Sequence, residues 1–130
     1  MNEALEFHDS TVESVQREAD TLRISLRPAY VHRSSGRPGF GSGEGYTQPI
    51  DILFSDARVE VNGACIGTVS SGSVSCNGQV FENLVALPLN EAGNIQATLE
   101  FSSGGVMKVW ALACASSVLG VASFVEAYEG

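Results

Sequence analysis

The stretch Ile95–Trp110, IQATLEFSSGGVMKVW, decides the fold. Ile95, Ala97, Leu99 and Phe101 alternate with Gln96, Thr98, Glu100 and Ser102. Side chains of an extended chain point to opposite faces in turn, so this alternation gives a strand with one dry and one wet face. Gly104-Gly105 then interrupts the run, and Val106, Lys108 and Trp110 open a second strand. Two alternating segments around a glycine turn predict an antiparallel pair.

The same period extends outward along the chain. Leu22, Ile24 and Leu26 alternate with Arg23, Ser25 and Arg27, and Ala57-Arg58-Val59-Glu60-Val61 runs into Asn62-Gly63, a hairpin signal. Turn residues recur at Glu18–Thr21, Asn77-Gly78, Asn90–Asn94 and Gly120. Thr11–Asp20 reads two ways. It is a short helix capped by Ser10 with Glu13 in a capping box, or a strand entering the turn at Asp20-Thr21. Turn spacings of about 10–15 residues suit sandwiches and barrels.

The expected fold is all-β: one domain over residues 1–130, an antiparallel sandwich or flattened barrel of about eight to ten strands. Its core is expected from Leu22, Ile24, Leu26, Ile52, Phe54, Leu87, Leu89, Leu99, Phe101, Val109 and Leu112. The nearly continuous apolar run Val106–Tyr128 is expected to supply central strands covered on both faces.

Composition narrows the function classes. A chain of 130 residues with 44% hydrophobic and 17% charged residues can close a core and is not a disordered polymer. Seven basic and 15 acidic residues leave a net charge of −8, the wrong sign for a nucleic-acid binder. Cys65, Cys76 and Cys114 are odd in number and lack a CxxC pair, which argues against a disulfide framework or a structural zinc site. The opening MNEALEFHDS has no basic residue ahead of an apolar run, so no secretory signal and a cytoplasmic protein are expected. The uncharged run Val109–Val125, VWALACASSVLGVASFV, contains three serines and a glycine. It falls short of the roughly 20 strongly apolar residues of a spanning helix, so strands and no membrane partner are expected.

The longest irregular stretch is RSSGRPGFGSGEGY, Arg33–Tyr46, with five glycines in fourteen residues. It is either a mobile crossover or a ligand- or partner-binding loop. In the second reading Arg33 and Arg37 hold an anion beside backbone N–H groups, while Phe40 and Tyr46 supply anchors. Neither GxxxxGK[ST] nor GxGxxG before a helix occurs, and no cofactor is implied. His8 and His32 are the only imidazoles. Converging with Asp9 or Asp51 they would make a two-histidine, one-carboxylate metal site or an acid–base site, whereas His8-Asp9-Ser10 also suits backbone bonding at a turn. The separation in sequence assigns no metal. GxSxG is absent. Cys76, beside Asn77-Gly78, is expected near the surface, and Cys65 and Cys114 in the core.

Charge is unevenly divided: residues 1–40 sum to −1 and the remaining ninety to −7. Arg23 and Arg27, four apart on one strand face, mark either an oriented protein contact or an ordinary solvated surface.

The segments LEFHDSTVESV, AYVHRSSGRPG followed by GYTQ, ALPLNEAG and SFVEAYEG resemble a family of small uncharacterised bacterial proteins. Members open with a His-Asp-Ser element and close with a Val-Glu-aromatic element. The resemblance implies a compact β-rich domain and carries no chemistry onto His8, Asp9 or Ser10.

Three functions follow as expectations. The first is a cytoplasmic bacterial binding module without catalysis, its excess negative charge suiting a basic protein partner in the manner of an immunity protein. The second is a small-ligand binder or enzyme with its site at His8, Asp9, His32, Arg33, Arg37, Phe40 and Tyr46. The third is a homo-oligomeric scaffold whose edge strands pair.

Overall fold

The computed structural model of the chain describes residues 1–129, which contain no helix. Eleven strands follow in order: β1 (Asn2–Glu6), β2 (Thr11–Glu18), β3 (Thr21–Ser34), β4 (Gly43–Ser55), β5 (Arg58–Asn62), β6 (Gly67–Cys76), β7 (Gln79–Glu82), β8 (Leu84–Leu87), β9 (Asn90–Phe101), β10 (Val106–Val118) and β11 (Ser123–Tyr128). The all-β class is as expected, and the strand number exceeds the expected eight to ten.

Six strands close on themselves, each paired antiparallel to the next: β3 to β4, β10, β9, β6, β2 and back to β3. Closure is the one arrangement that leaves a sheet without edges. The alternating residues face inward across this ring. Leu22, Ile24 and Leu26 pair with Phe54, Ile52 and Ile50, and Leu99 pairs with Met107. All eight are buried in one hydrophobic cluster, each contributing about 1.5–3 kcal/mol by leaving water. Thr11–Glu18 is a strand and not a helix, paired to Thr21–Leu26 across the Ala19-Asp20 turn.

The long strands outrun the ring and carry the other five. β3 pairs with β2 over its first half and with β1 from Tyr30 to Ser34. β4 pairs with β10 from Ile50 to Ser55 and with β11 from Gly43 to Thr47. With β8 on the far side of β1, these ends form a second sheet, β8-β1-β3-β4-β11. A register shift between Leu26 and Ala29 moves the inward parity from even to odd residues. Ala29 and Val31 therefore continue the core while Tyr30, His32 and Ser34 face the opposite side of this sheet, and all five are buried.

Several expectations need correction. Leu112 is 61% exposed, because Met107, Val109 and Ala111 take the inward parity and leave Leu112 on the wet face. Leu87 is only half-buried, on β8 at the margin of the second sheet. β10 is central, but β11 is an edge strand with Phe124 and Val125 exposed. The uncharged run 109–125 thus mixes a covered strand with an uncovered one. The strand before Asn62-Gly63 makes no hairpin with its successor and pairs instead with Val106–Trp110. Asn77-Gly78 does close a two-residue hairpin between β6 and β7, both residues at positive φ as that turn demands. Cys76 is buried despite its place beside the turn.

Candidate site beneath the glycine loop

The glycine-rich segment is shorter than the sequence suggests. The β3–β4 ladder runs out to Arg33↔Glu44, so only residues 35–42 lie outside the strands. Arg33 and Tyr46 are therefore strand residues. The remaining loop folds back over the face of the second sheet that carries Tyr30 and His32. Gly39, at φ 86°, lies on Leu84, where a Cβ would approach Leu84 Cδ1 to 2.7 Å. At Gly45 a Cβ would collide with the Tyr30 hydroxyl, so glycine here lets the tyrosine ring cross β4.

On one side of the loop is a cavity of about 560 Å³. Ala4, Phe40, Phe81, Leu84 and Ala86 line it together with Glu3. The Arg37 guanidinium reaches the same cavity and lies 3.9 Å over the centre of the Phe40 ring. Among the described residues Arg37 has no carboxylate within ion-pairing distance. Arg33, by contrast, is committed: it bonds Glu3 and lies 4.2 Å over the Tyr46 ring, whose hydroxyl donates to Glu44 at 2.7 Å.

On the other side of the loop is a recess of about 60 Å³ lined by His32, Arg33, Gly43, Glu44 and Tyr128. The His32 ring packs at 5.1 Å from the Tyr30 ring and 5.3 Å from that of Tyr128. Its Nε2 is 3.3 Å from Glu6 Oε1. Tyr30 and Tyr128 each donate a hydroxyl to Glu126 Oε1 at 2.8 Å, and their own hydroxyls touch. Burial is the main reason the Tyr30 hydroxyl is harder to ionise than usual, reinforced by its bonds to Tyr128 and Glu126. Burial raises Tyr128 as well. The bonds from Tyr128 and Tyr30 hold the Glu126 carboxyl below the usual carboxylate range. Together these groups clasp β11 onto β3.

His8 and Asp9 sit elsewhere, exposed in the turn after β1, with His8 Nδ1 3.4 Å from Asp9 Oδ2. The two histidines do not touch, and each lies close to Glu6. Asp51 belongs to neither group. Its carboxylate is buried on the outer face of β4 between Arg27 at 2.8 Å and Arg23 at 3.1 Å. Arg23 and Arg27 share the outer face as read, Arg23 exposed to solvent, and both pair with Asp51. Backbone bonding at the His8-Asp9-Ser10 turn falls to Ser10: its hydroxyl donates to the Glu6 carbonyl at 2.6 Å and accepts the Tyr30 N–H at 2.9 Å.

The fold thus brings Arg37 and Phe40 to one cavity and His32 and Arg33 to its neighbour, while Tyr46 supports Arg33 and His8 and Asp9 stand apart. Sequence reasoning missed Glu6, Tyr30, Glu126 and Tyr128. A signal was present in Tyr30/His32 and Glu126/Tyr128, each a polar pair two residues apart and hence on one strand face. No family model matches the chain, and no curated protein or solved structure is found to match it either.

Proposed function

We propose that the protein is a binding module for a small amphipathic anion, an aromatic or acyl carboxylate, held in the cavity beneath the glycine loop. The observation that supports this is a cavity of about 560 Å³ with a mixed apolar and polar lining, in which the Arg37 guanidinium stacks on Phe40 and, among the described residues, has no carboxylate partner. Ligand cavities combine an apolar body with a few placed polar groups in this way, and a planar guanidinium matches a carboxylate with two parallel hydrogen bonds. The net charge of −8 opposes long-range capture of an anion, so recognition would rest on contact inside the cavity.

The test is calorimetric titration with medium-chain and arylalkyl carboxylates, each beside its uncharged amide. The carboxylates should bind and the amides bind more weakly. Arg37→Ala should lower carboxylate affinity about 10–100-fold, the scale of a lost charge-assisted hydrogen bond. Equal binding of acid and amide, or affinity unchanged in Arg37→Ala, would reject the reading.

A second reading is a protein contact along β11, favoured by the exposed Val121, Phe124 and Val125 beside its unpaired edge. The three residues are apolar, and Glu126 adds an exposed carboxylate to the same strand.

A further inference from the structure

We propose that Glu6, His8 and Asp9 form a binding site for one divalent transition-metal ion of the zinc class. The site lies at the opposite end of β1 from the loop cavity, and its existence is independent of the carboxylate reading.

The geometry comes first. A carboxylate oxygen of Glu6, a ring nitrogen of His8 and a carboxylate oxygen of Asp9 all lie within 4.8 Å of one another. Tetrahedral ligands about 2.0–2.1 Å from zinc are about 3.4 Å apart. The His8–Asp9 pair is already at 3.4 Å. The remaining gap, at most about 1.5 Å by that bond-length arithmetic, is closed by moving the exposed His8 and Asp9 side chains towards the half-buried Glu6 carboxylate.

The backbone carrying the three groups is braced. Phe7, between Glu6 and His8, is 1% exposed and pins the segment to the core. The Ser10 N–H donates to the Phe7 carbonyl at 3.0 Å and closes the turn. Ser10 itself is fully buried, its hydroxyl bonded on both sides. The His-Asp-Ser element is therefore a rigid mount with two donors pointing outward.

The third donor has its own support. The Glu6 carboxylate meets Nε2 of His32, a histidine 7% exposed whose ring is fixed between Tyr30 and Tyr128. A metal-binding carboxylate is oriented by such a partner, and losing the partner weakens metal affinity about 10–100-fold. His32 is thus a positioning residue, not a ligand. Among the described residues no lysine or arginine lies within ion-pairing distance of Glu6 or Asp9, so no fixed cation competes for the two carboxylates.

The donor set selects the metal. One imidazole with two carboxylates suits a borderline ion such as Zn²⁺, whereas Mg²⁺ and Ca²⁺ favour oxygen alone. Three protein donors leave a fourth position for solvent or an added ligand.

The experiment is calorimetric titration of the full chain with Zn²⁺ and, separately, Mg²⁺. One Zn²⁺ should bind per chain, with Mg²⁺ at least about 100-fold weaker. His8→Ala and Asp9→Asn, both on exposed side chains, should each weaken Zn²⁺ at least about tenfold and leave the metal-free thermal midpoint unchanged. His32→Gln should weaken it about 10–100-fold while keeping the stoichiometry of one. Failure of the wild-type chain to bind Zn²⁺ overturns the proposal. So does Zn²⁺ binding that survives both His8→Ala and Asp9→Asn, which would place the ion elsewhere, as on the thiols. Loss of carboxylate binding in Arg37→Ala with Zn²⁺ binding intact would separate this site from the loop cavity.

Discussion

Asp51, Glu126 and the tyrosines are held by burial and by partners that favour one protonation state. Asp51 is the clearest. Burial pushes its carboxyl up, but bonds from Arg27, Ser25 and Arg23 outweigh burial and bring it below the ordinary value of 3.8. A carboxyl held lower in the folded than in the unfolded chain adds stability that is complete above the ordinary value. That stability is lost as pH falls through the lower folded value. Asp51→Asn should therefore cost about 2–3 kcal/mol at pH 7, less than a wholly buried pair because Arg23 is 46% exposed. Chemical denaturation of both proteins at pH 7 and pH 3 checks this, and the gap should narrow at the lower pH. All three tyrosines are shifted upward: Tyr30 and Tyr128 chiefly by burial, Tyr46 chiefly by its bond to Glu44. Absorbance at 295 nm should give a tyrosine midpoint above 10 in the native protein, falling to about 10 in denaturant. The pairs two residues apart, Glu44/Tyr46 and Glu126/Tyr128, were legible in the residue list, and the partnerships across strands were not. Arg23 and Arg27 are visibly on one face, but that Asp51 lies opposite them depends on the β3–β4 register.

At the scale of strands, period-two reading succeeded where one face is wet and failed where both are dry. The half of β9 from Ile95 to Phe101 alternates and was read correctly, because Gln96, Thr98 and Glu100 mark its outer face, whereas Asn90–Asn94, expected as a turn, is the exposed first half of the same strand. The AYVH of Ala29–His32 is buried on both faces, and its parity is further obscured by the register shift after Leu26. The tail misled in the opposite sense: SFVEAY is apolar enough to suggest a central strand, yet it lies at an edge. The loop was overestimated because alternating glycines look unstructured, although Gly43 and Gly45 belong to β4. Gly45→Val should destabilise the clasp by about 1–3 kcal/mol, since the added carbons must displace the Tyr30 ring. Thermal unfolding measures the loss, and His32 NMR resonances should shift with it. If copies of the chain meet along β11, Phe124→Lys should abolish concentration-dependent sedimentation and leave the fold unaltered by circular dichroism.

For the molecule as a whole, ring closure ties distant segments into one cooperative unit. β2 and β6 meet through only Thr11↔Thr68 and Val12↔Gly67, so this is the narrowest seam of the ring. Cys65, Cys76 and Cys114 are all buried, with burial pushing Cys114 up to about 11. At pH 8 these thiols should react with a disulfide reagent only through opening of the fold. Their labelling rates should rise with denaturant along the same slope as global unfolding. A thiol that reacts quickly in the native protein would show that the ring breathes locally at that strand. Closure was invisible from sequence, since the alternation of each strand is equally compatible with two stacked sheets. The candidate site was legible in part for the same reason. Arg37 and Phe40 are neighbours along the chain, but the wall of Leu84 and Ala86 reaches them through β1, paired with β3 on one side and β8 on the other.

The hydroxyl–carboxylate clasp of Tyr30, Glu126 and Tyr128 makes the last strand a removable cover. A protease cutting after Gly120 would detach it, unsheathing the His32 imidazole and baring the β4 backbone from Gly43 to Thr47. The trimmed chain would offer a vacant lane for a foreign strand directly beside a newly wetted histidine, so its behaviour towards other proteins would change in a single cut.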